Sequence, residues 1–125
     1  MNRQISSQYI IDLYKNIKYY GKLKEFNIKK ELQNPLCGDI VTLYLLTTNN
    51  KIVDVSFESS GCMISKVATF ISLDMIKGKD IGILKRIKFE DILDNMMIKD
   101  ISPSRKKCAY LTFGGLKSIG EEYKV

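Results

Sequence analysis

The chain has 125 residues, 20 Lys and Arg against 14 Asp and Glu for a net charge of +6, 45% apolar residues, three Cys and no His. That is ordinary globular composition at the size of one domain spanning 1–125, long enough to bury a core without a disulfide framework. The missing His excludes Ser-His-Asp triads, Cys-His dyads, His-ligated zinc and imidazole acid–base chemistry, leaving Cys, Asp, Glu, Lys and Tyr as the reactive groups.

In chain order, Tyr9, Ile10, Leu13, Tyr14 and Ile17 recur at spacings of three and four behind Ser6 and Ser7, predicting an amphipathic helix over 6–20 that ends near Gly21. Phe26 to Leu32 alternates only in part and reads as a short edge strand, which Asn34-Pro35 breaks. Two β-branched and aromatic runs, 40–48 and 52–58, flank Asn49-Asn50 and predict a hairpin.

Beyond Gly61-Cys62 the period becomes helical: Ile64, Val67, Ala68, Ile71 and Met75 predict a helix over 65–77, stopped at Gly78. Two short helices follow over 81–87 and 89–97, with Ile92, Leu93, Met96 and Met97 facing inward. Pro103 marks a loop, and a last helix begins near Lys106 carrying Cys108, Leu111, Leu116 and Ile119. Helix, strands, then helices is an α+β pattern: a small antiparallel sheet of about three strands with helices packed on one face.

Three thiols are too few, and odd in number, for a secreted disulfide scaffold, so a reducing, cytoplasmic setting is expected. The N-terminus lacks the apolar core of a signal peptide, and no run approaches the length of a membrane span. The positive charge is carried by 17 Lys and three Arg. Lys-rich basicity suits solubility or an acidic partner, and specific nucleic-acid binding, which favours Arg forks, is not expected.

Each cysteine sits at an element boundary: Cys37 before the first long strand, Cys62 between hairpin and helix, Cys108 after the loop 102–107. Buried cysteines commonly serve as small apolar filler, but functional groups also collect where loops meet rigid elements. The intervals of 25 and 46 residues match no local zinc motif, so any metal site is assembled by the tertiary fold. Cys37, Asp39, Cys62 and Cys108 supply three thiolates and one carboxylate, a set that can hold zinc tetrahedrally or iron. Arg105, Lys106 and Lys107 directly precede Cys108, and neighbouring cations favour a thiolate. The Met63, Met75, Met96 and Met97 stripe reads as core, Tyr9, Tyr14, Tyr19 and Tyr20 as packing, and Asp74, Asp91 and Asp94 as exposed helix charges.

The segments Asn34-Pro35-Leu36-Cys37-Gly38-Asp39, Gly61-Cys62-Met63-Ile64-Ser65 and Pro103-Ser104-Arg105-Lys106-Lys107-Cys108-Ala109-Tyr110-Leu111 resemble, in family order, the IscU/SufU iron–sulfur cluster assembly proteins, also found as the N-terminal domain of NifU. Weaker similarity over 11–16 and 21–23 extends it to the first helix. Cys62-Met63-Ile64-Ser65 and Lys107 resemble the SufU form, whereas the short Cys62 to Cys108 interval is IscU-like; a compact SufU-like member is the closer description. The departures are Ile17, where relatives often have Pro, and Lys66-Val67-Ala68-Thr69, where they favour small residues.

The resemblance implies a SufE/NifU-like α+β scaffold whose ligands Cys37, Asp39, Cys62 and Cys108 bind zinc or a transient iron–sulfur cluster. It implies a pyridoxal-phosphate cysteine desulfurase as sulfur donor, and iron–sulfur apo-proteins or carriers downstream. In a SufU-like reading Cys37 accepts the persulfide sulfur; in an IscU-like one Cys108 does, with Arg105 positioning it. The competing readings are a basic nucleic-acid or protein-binding module with a structural zinc site, and a family member that keeps the fold without transfer activity.

Overall fold

A computed structural model describes residues 2–34, 38–97 and 102–122. The elements are α1 (Asn2–Lys15), β1 (Ile28–Gln33), β2 (Ile40–Thr48), β3 (Lys51–Ser59), α2 (Met63–Ile76), α3 (Ile83–Arg86), α4 (Phe89–Asn95) and α5 (Pro103–Glu122). The strands form one antiparallel sheet in the order β1-β2-β3.

The hairpin follows from its turn. Asn49 and Asn50 both take positive φ (53° and 63°), the backbone that matches the twist of the flanking strands and that Asn tolerates. A bulge then places Leu46 opposite Asp54 and Thr47 opposite Ile52, so Val53 is the extra residue. The bulge resets the alternation: Ile52, Val55 and Phe57 are all fully buried, while Val53 remains 44% exposed. With Val41, Leu43 and Leu45 of β2 they form the apolar floor on which the helices pack. On the opposite face Phe26 meets Tyr44 edge-on at 5.0 Å.

Helix α2 crosses this floor and packs along α5 through small buried side chains. At their contact Thr69 and Thr112 hydroxyls lie 2.6 Å apart, and Thr69 Oγ1 donates to the Ser65 carbonyl (2.8 Å). Val67, Ala68 and Thr69 are thus core residues, and Lys66 turns to the surface side of the helix.

Several expected boundaries move. Helix α1 ends at Lys15 rather than near residue 20, because Asn16 Nδ2 donates to the Asp12 carbonyl and the chain leaves the helix. Tyr19 then adopts φ 68°, and residues 19–21 pair alongside Phe57. Helix α5 begins at Pro103, not Lys106. Ser102 acts as its N-cap, accepting from the Arg105 N–H at 3.4 Å, and proline suits the first helical position because its missing N–H has no partner to lose. The short helices are Ile83–Arg86 and Phe89–Asn95. Ile92 and Met96 are fully buried and Leu93 partly so, but Met97 lies past the helix end at φ 55° and is 53% exposed. Met63 is likewise exposed, so the methionine stripe is core only in part, at Met96 and, half-buried, Met75.

Candidate metal centre

Three of the four expected ligands meet at one end of the sheet, where β2 begins and β3 finishes. Asp39 directly precedes β2, placed by a turn whose ends are tied: the Gly38 N–H donates to the Asn34 carbonyl (2.7 Å) and the Asn34 N–H to the Asp39 carbonyl (2.9 Å). Gly38 sits at φ 75°, a conformation that favours glycine. Cys37, two residues before Asp39 in the sequence, lies outside the described residues.

Cys62 enters from the other side as the N-cap of α2, with extended backbone (φ −76°, ψ 170°) and a side chain that makes no capping bond. Its Sγ points instead at Asp39 Oδ2, 3.7 Å away. Gly61 allows this approach: a Cβ there would stand 2.9 Å from Asp39 Cγ and 3.2 Å from its Cβ and Oδ1. Cys108 comes from the second turn of α5. The three ligand atoms of Asp39, Cys62 and Cys108 all lie within 4.8 Å of one another. Asp39 and Cys108 are buried and Cys62 is exposed, so the centre opens to solvent on the Cys62 side.

This donor set fits zinc. Tetrahedral bonds of about 2.0 Å to oxygen and 2.3 Å to sulfur separate ligand atoms by roughly 3.5–3.8 Å, so closing the cluster shortens any pair by no more than about 1.3 Å. Thiolates suit zinc and iron alike, and a carboxylate is the harder, more readily exchanged partner.

Arg105 is exposed on the first turn of α5, three residues before Cys108. Asp74, Asp91 and Asp94 are exposed on helices as expected, and Asp74 accepts a hydrogen bond from the Tyr19 hydroxyl (2.6 Å). Of the four tyrosines read as packing, Tyr19 packs against Phe70 at 5.9 Å and Tyr20, though exposed, meets Phe57 edge-on at 5.2 Å, whereas Tyr9 and Tyr14 lie exposed on α1. The role of Gly61 escaped the sequence reading; its signal was only a glycine directly before a candidate ligand.

The NifU-like N terminal domain profile matches residues 5–124, nearly the whole chain. The chain belongs to this family. Among relatives of the NifU-like domain, the zinc-dependent sulfurtransferase SufU of Bacillus subtilis is 32% identical over 132 residues, covering 92% of this chain and 89% of SufU. The iron-sulfur cluster assembly scaffold protein IscU of Thermotoga maritima is 27% identical over 130 residues, covering 92% of each. The SUF-system scaffold protein of Fervidobacterium islandicum, known by crystal structure, superimposes with TM-score 0.72 at 31% identity, over 89% of this chain and 93% of that one. The α+β architecture expected of a NifU-like domain is therefore the one observed. A NifU-like protein of Brucella abortus shares the fold at TM-score 0.70 and 19% identity, over 94% of each chain.

Proposed function

We propose that this protein works in iron–sulfur cluster assembly, as an acceptor of persulfide sulfur and a scaffold or zinc-dependent carrier for it. The observation that carries the reading is the convergence of Asp39, Cys62 and Cys108 within 4.8 Å in a NifU-like domain. Cys37, two residues before Asp39 in the sequence, is the fourth ligand. The names of the relatives, a sulfurtransferase and a scaffold, favour this reading over a basic binding module with a structural zinc.

When bound, zinc supplies a charge that keeps the thiols deprotonated and guarded from oxidation. The donor is a pyridoxal-phosphate cysteine desulfurase carrying a persulfide. A thiolate of this chain attacks the terminal persulfide sulfur; a new S–S bond forms, the old one breaks, and the desulfurase cysteine leaves with the electron pair as thiolate. The exchange needs no external oxidant or reductant. The acceptor must be reachable, which counts against the buried Cys108, and the SufU-like segment Cys62-Met63-Ile64-Ser65 with Lys107 makes Cys37 the acceptor. Arg105, exposed beside the centre's α5 ligand, contributes positive potential toward the incoming persulfide anion. The cluster, where one forms, is cargo passed to iron–sulfur apo-proteins or carriers. No helix among the described residues is long and apolar enough to cross a membrane, and we assign the work to the cytoplasm.

The test is zinc, iron and acid-labile sulfide per chain after anaerobic purification, with desulfurase turnover measured for the wild type and for Cys37→Ala, Asp39→Ala, Cys62→Ala and Cys108→Ala. About one zinc without sulfide marks the carrier, and iron with matching sulfide marks the scaffold. Unchanged metal content and turnover in all four variants would sink the reading.

A further inference from the structure

The chain leading into Cys62 and the helix leading out of it are both tied to one side chain that lies outside the ligand set. Strand β3 is an edge strand, and residues 19–21 cover part of its outer side. The Phe57 N–H donates to the Tyr19 carbonyl (2.8 Å), and the Gly21 N–H donates to the Phe57 carbonyl (2.7 Å). Two residues further on, at Ser59, the pairing backbone runs out and the Tyr20 side chain takes its place. Its hydroxyl donates to the Ser59 carbonyl (3.0 Å) and accepts from the Ser59 N–H at 3.4 Å. The Tyr20 ring meets buried Phe57 edge-on at 5.2 Å, which fixes where the hydroxyl points.

Ser59 passes this order forward. Its Oγ accepts from the Gly61 N–H (3.0 Å), and the next N–H, of Ser60, donates to the Ile40 carbonyl beside Asp39 (3.0 Å). Gly61 then abuts the Asp39 carboxylate, and Cys62 follows. On the far side the Cys62 carbonyl accepts from the Lys66 N–H (3.0 Å), closing the first turn of α2. The Lys66 ammonium reaches back over the same tyrosine, 5.7 Å from the Tyr20 ring centre and 5.9 Å from that of Tyr14 on α1. A cation held between two aromatic faces at the surface is a modest attraction, but it joins the helix start to the group that holds the strand end.

We propose that Tyr20 is a positioning residue for the metal centre: through Ser59 on one side and Lys66 on the other it holds the 59–62 loop that presents Cys62 to Asp39. The inference rests on the metal-centre reading above, and it adds a group that touches neither the metal nor the incoming sulfur.

The test compares Tyr20→Phe, which keeps the ring, with Tyr19→Phe, which removes a shorter hydrogen bond (2.6 Å) from the adjacent residue to Asp74, near the opposite end of α2. In metal-free protein, Tyr20→Phe speeds amide exchange at Ser60 and Gly61 by about three- to tenfold, the scale of one lost hydrogen bond, and Tyr19→Phe leaves those amides unchanged. Zinc affinity, read by chelator competition, falls by a similar factor in Tyr20→Phe alone, and Lys66→Met moves it in the same direction. Unchanged exchange in Tyr20→Phe, an equal effect in Tyr19→Phe, or looser amides with unaltered zinc affinity each overturn the proposal. A wild type that takes up no zinc overturns the metal-centre reading instead, and the exchange contrast alone then decides whether Tyr20 holds the loop.

Discussion

Replacing Gly61 by alanine adds one methyl group at the point where the two halves of the centre touch. The new Cβ would lie 2.9 Å from Asp39 Cγ, about 0.5 Å inside the 3.4 Å at which ordinary contact begins. Asp39 cannot readily retreat, because it is buried and its carbonyl is bonded to the Asn34 N–H. Either the carboxylate rotates away or the Gly61–Cys62 step backs off, and both moves lengthen the 3.7 Å approach of Cys62 Sγ to Asp39 Oδ2. Overpacking of this kind costs about 1–3 kcal/mol, and displacing a group that orients a metal ligand typically costs about 10–100-fold in metal affinity. Gly38→Ala is the matched control: its Cβ would meet nothing within 4 Å, so its cost is the left-handed backbone alone, about 1–2 kcal/mol of stability. Chelator competition for zinc, with thermal unfolding of the metal-free proteins alongside, separates the two effects. Wild-type zinc affinity in Gly61→Ala, or a larger affinity loss in Gly38→Ala, would refute the view that Gly61 sets the ligand spacing.

The hydroxyl pair between α2 and α5 predicts an asymmetry. Thr69 spends its proton on the Ser65 carbonyl, so Thr112 must donate to Thr69. Thr112→Val therefore costs about 1 kcal/mol, whereas Thr69→Val, which strands a buried Thr112 donor, costs about 1–3 kcal/mol, and equal losses in urea unfolding would contradict this assignment. Asp74, accepting the Tyr19 hydroxyl bond, pushes the Tyr19 phenol up from 10.0 to about 12. The neutral phenol is favoured in the folded state, so this contribution is complete below pH 10 and is lost as the pH rises through about 12. Asp74→Asn returns the Tyr19 titration, followed by its ring carbon shift in NMR, toward 10.0 and flattens the alkaline loss of stability; a midpoint that stays put would disprove the coupling.

The parts of the fold legible in the sequence were those governed by local rules. The Asn49-Asn50 turn and the helical spacing after Cys62 each depend on chemistry within a few residues, and the structure places them where that chemistry predicts. What misled was tertiary. Ile17 continues the helical spacing of Tyr9 and Leu13, yet residues 19–21 leave the helix to bond Phe57, a partner 36 to 38 positions away that no local pattern reveals. Met97 matches the apolar stripe of α4, but that helix has ended before it is reached. Of the centre, Asp39, Cys62 and Cys108, which the structure brings together, could be named as candidates from residue type, boundary position and the family resemblance. Their supports could not, because Gly61 is important only through its distance to Asp39, and Tyr20 only through Ser59 and Lys66.

The burial of the three ligands bears on how such a centre can both hold and yield its contents. Asp39 and Cys108 are fixed by packed elements, one by the tied turn before β2 and the other by a helix whose next residues, Ala109 and Thr112, are core. Cys62 is exposed, and it reaches the centre from a loop fastened by hydrogen bonds rather than by apolar burial. Hydrogen bonds at a surface exchange with water at small net cost, whereas displacing a packed core side chain opens a cavity. The centre is therefore rigid on its Asp39 and Cys108 side and yielding on its Cys62 side. A ligand set divided in this way lets a docking partner loosen one thiol without unfolding the domain, which is what passing sulfur or a cluster onward requires.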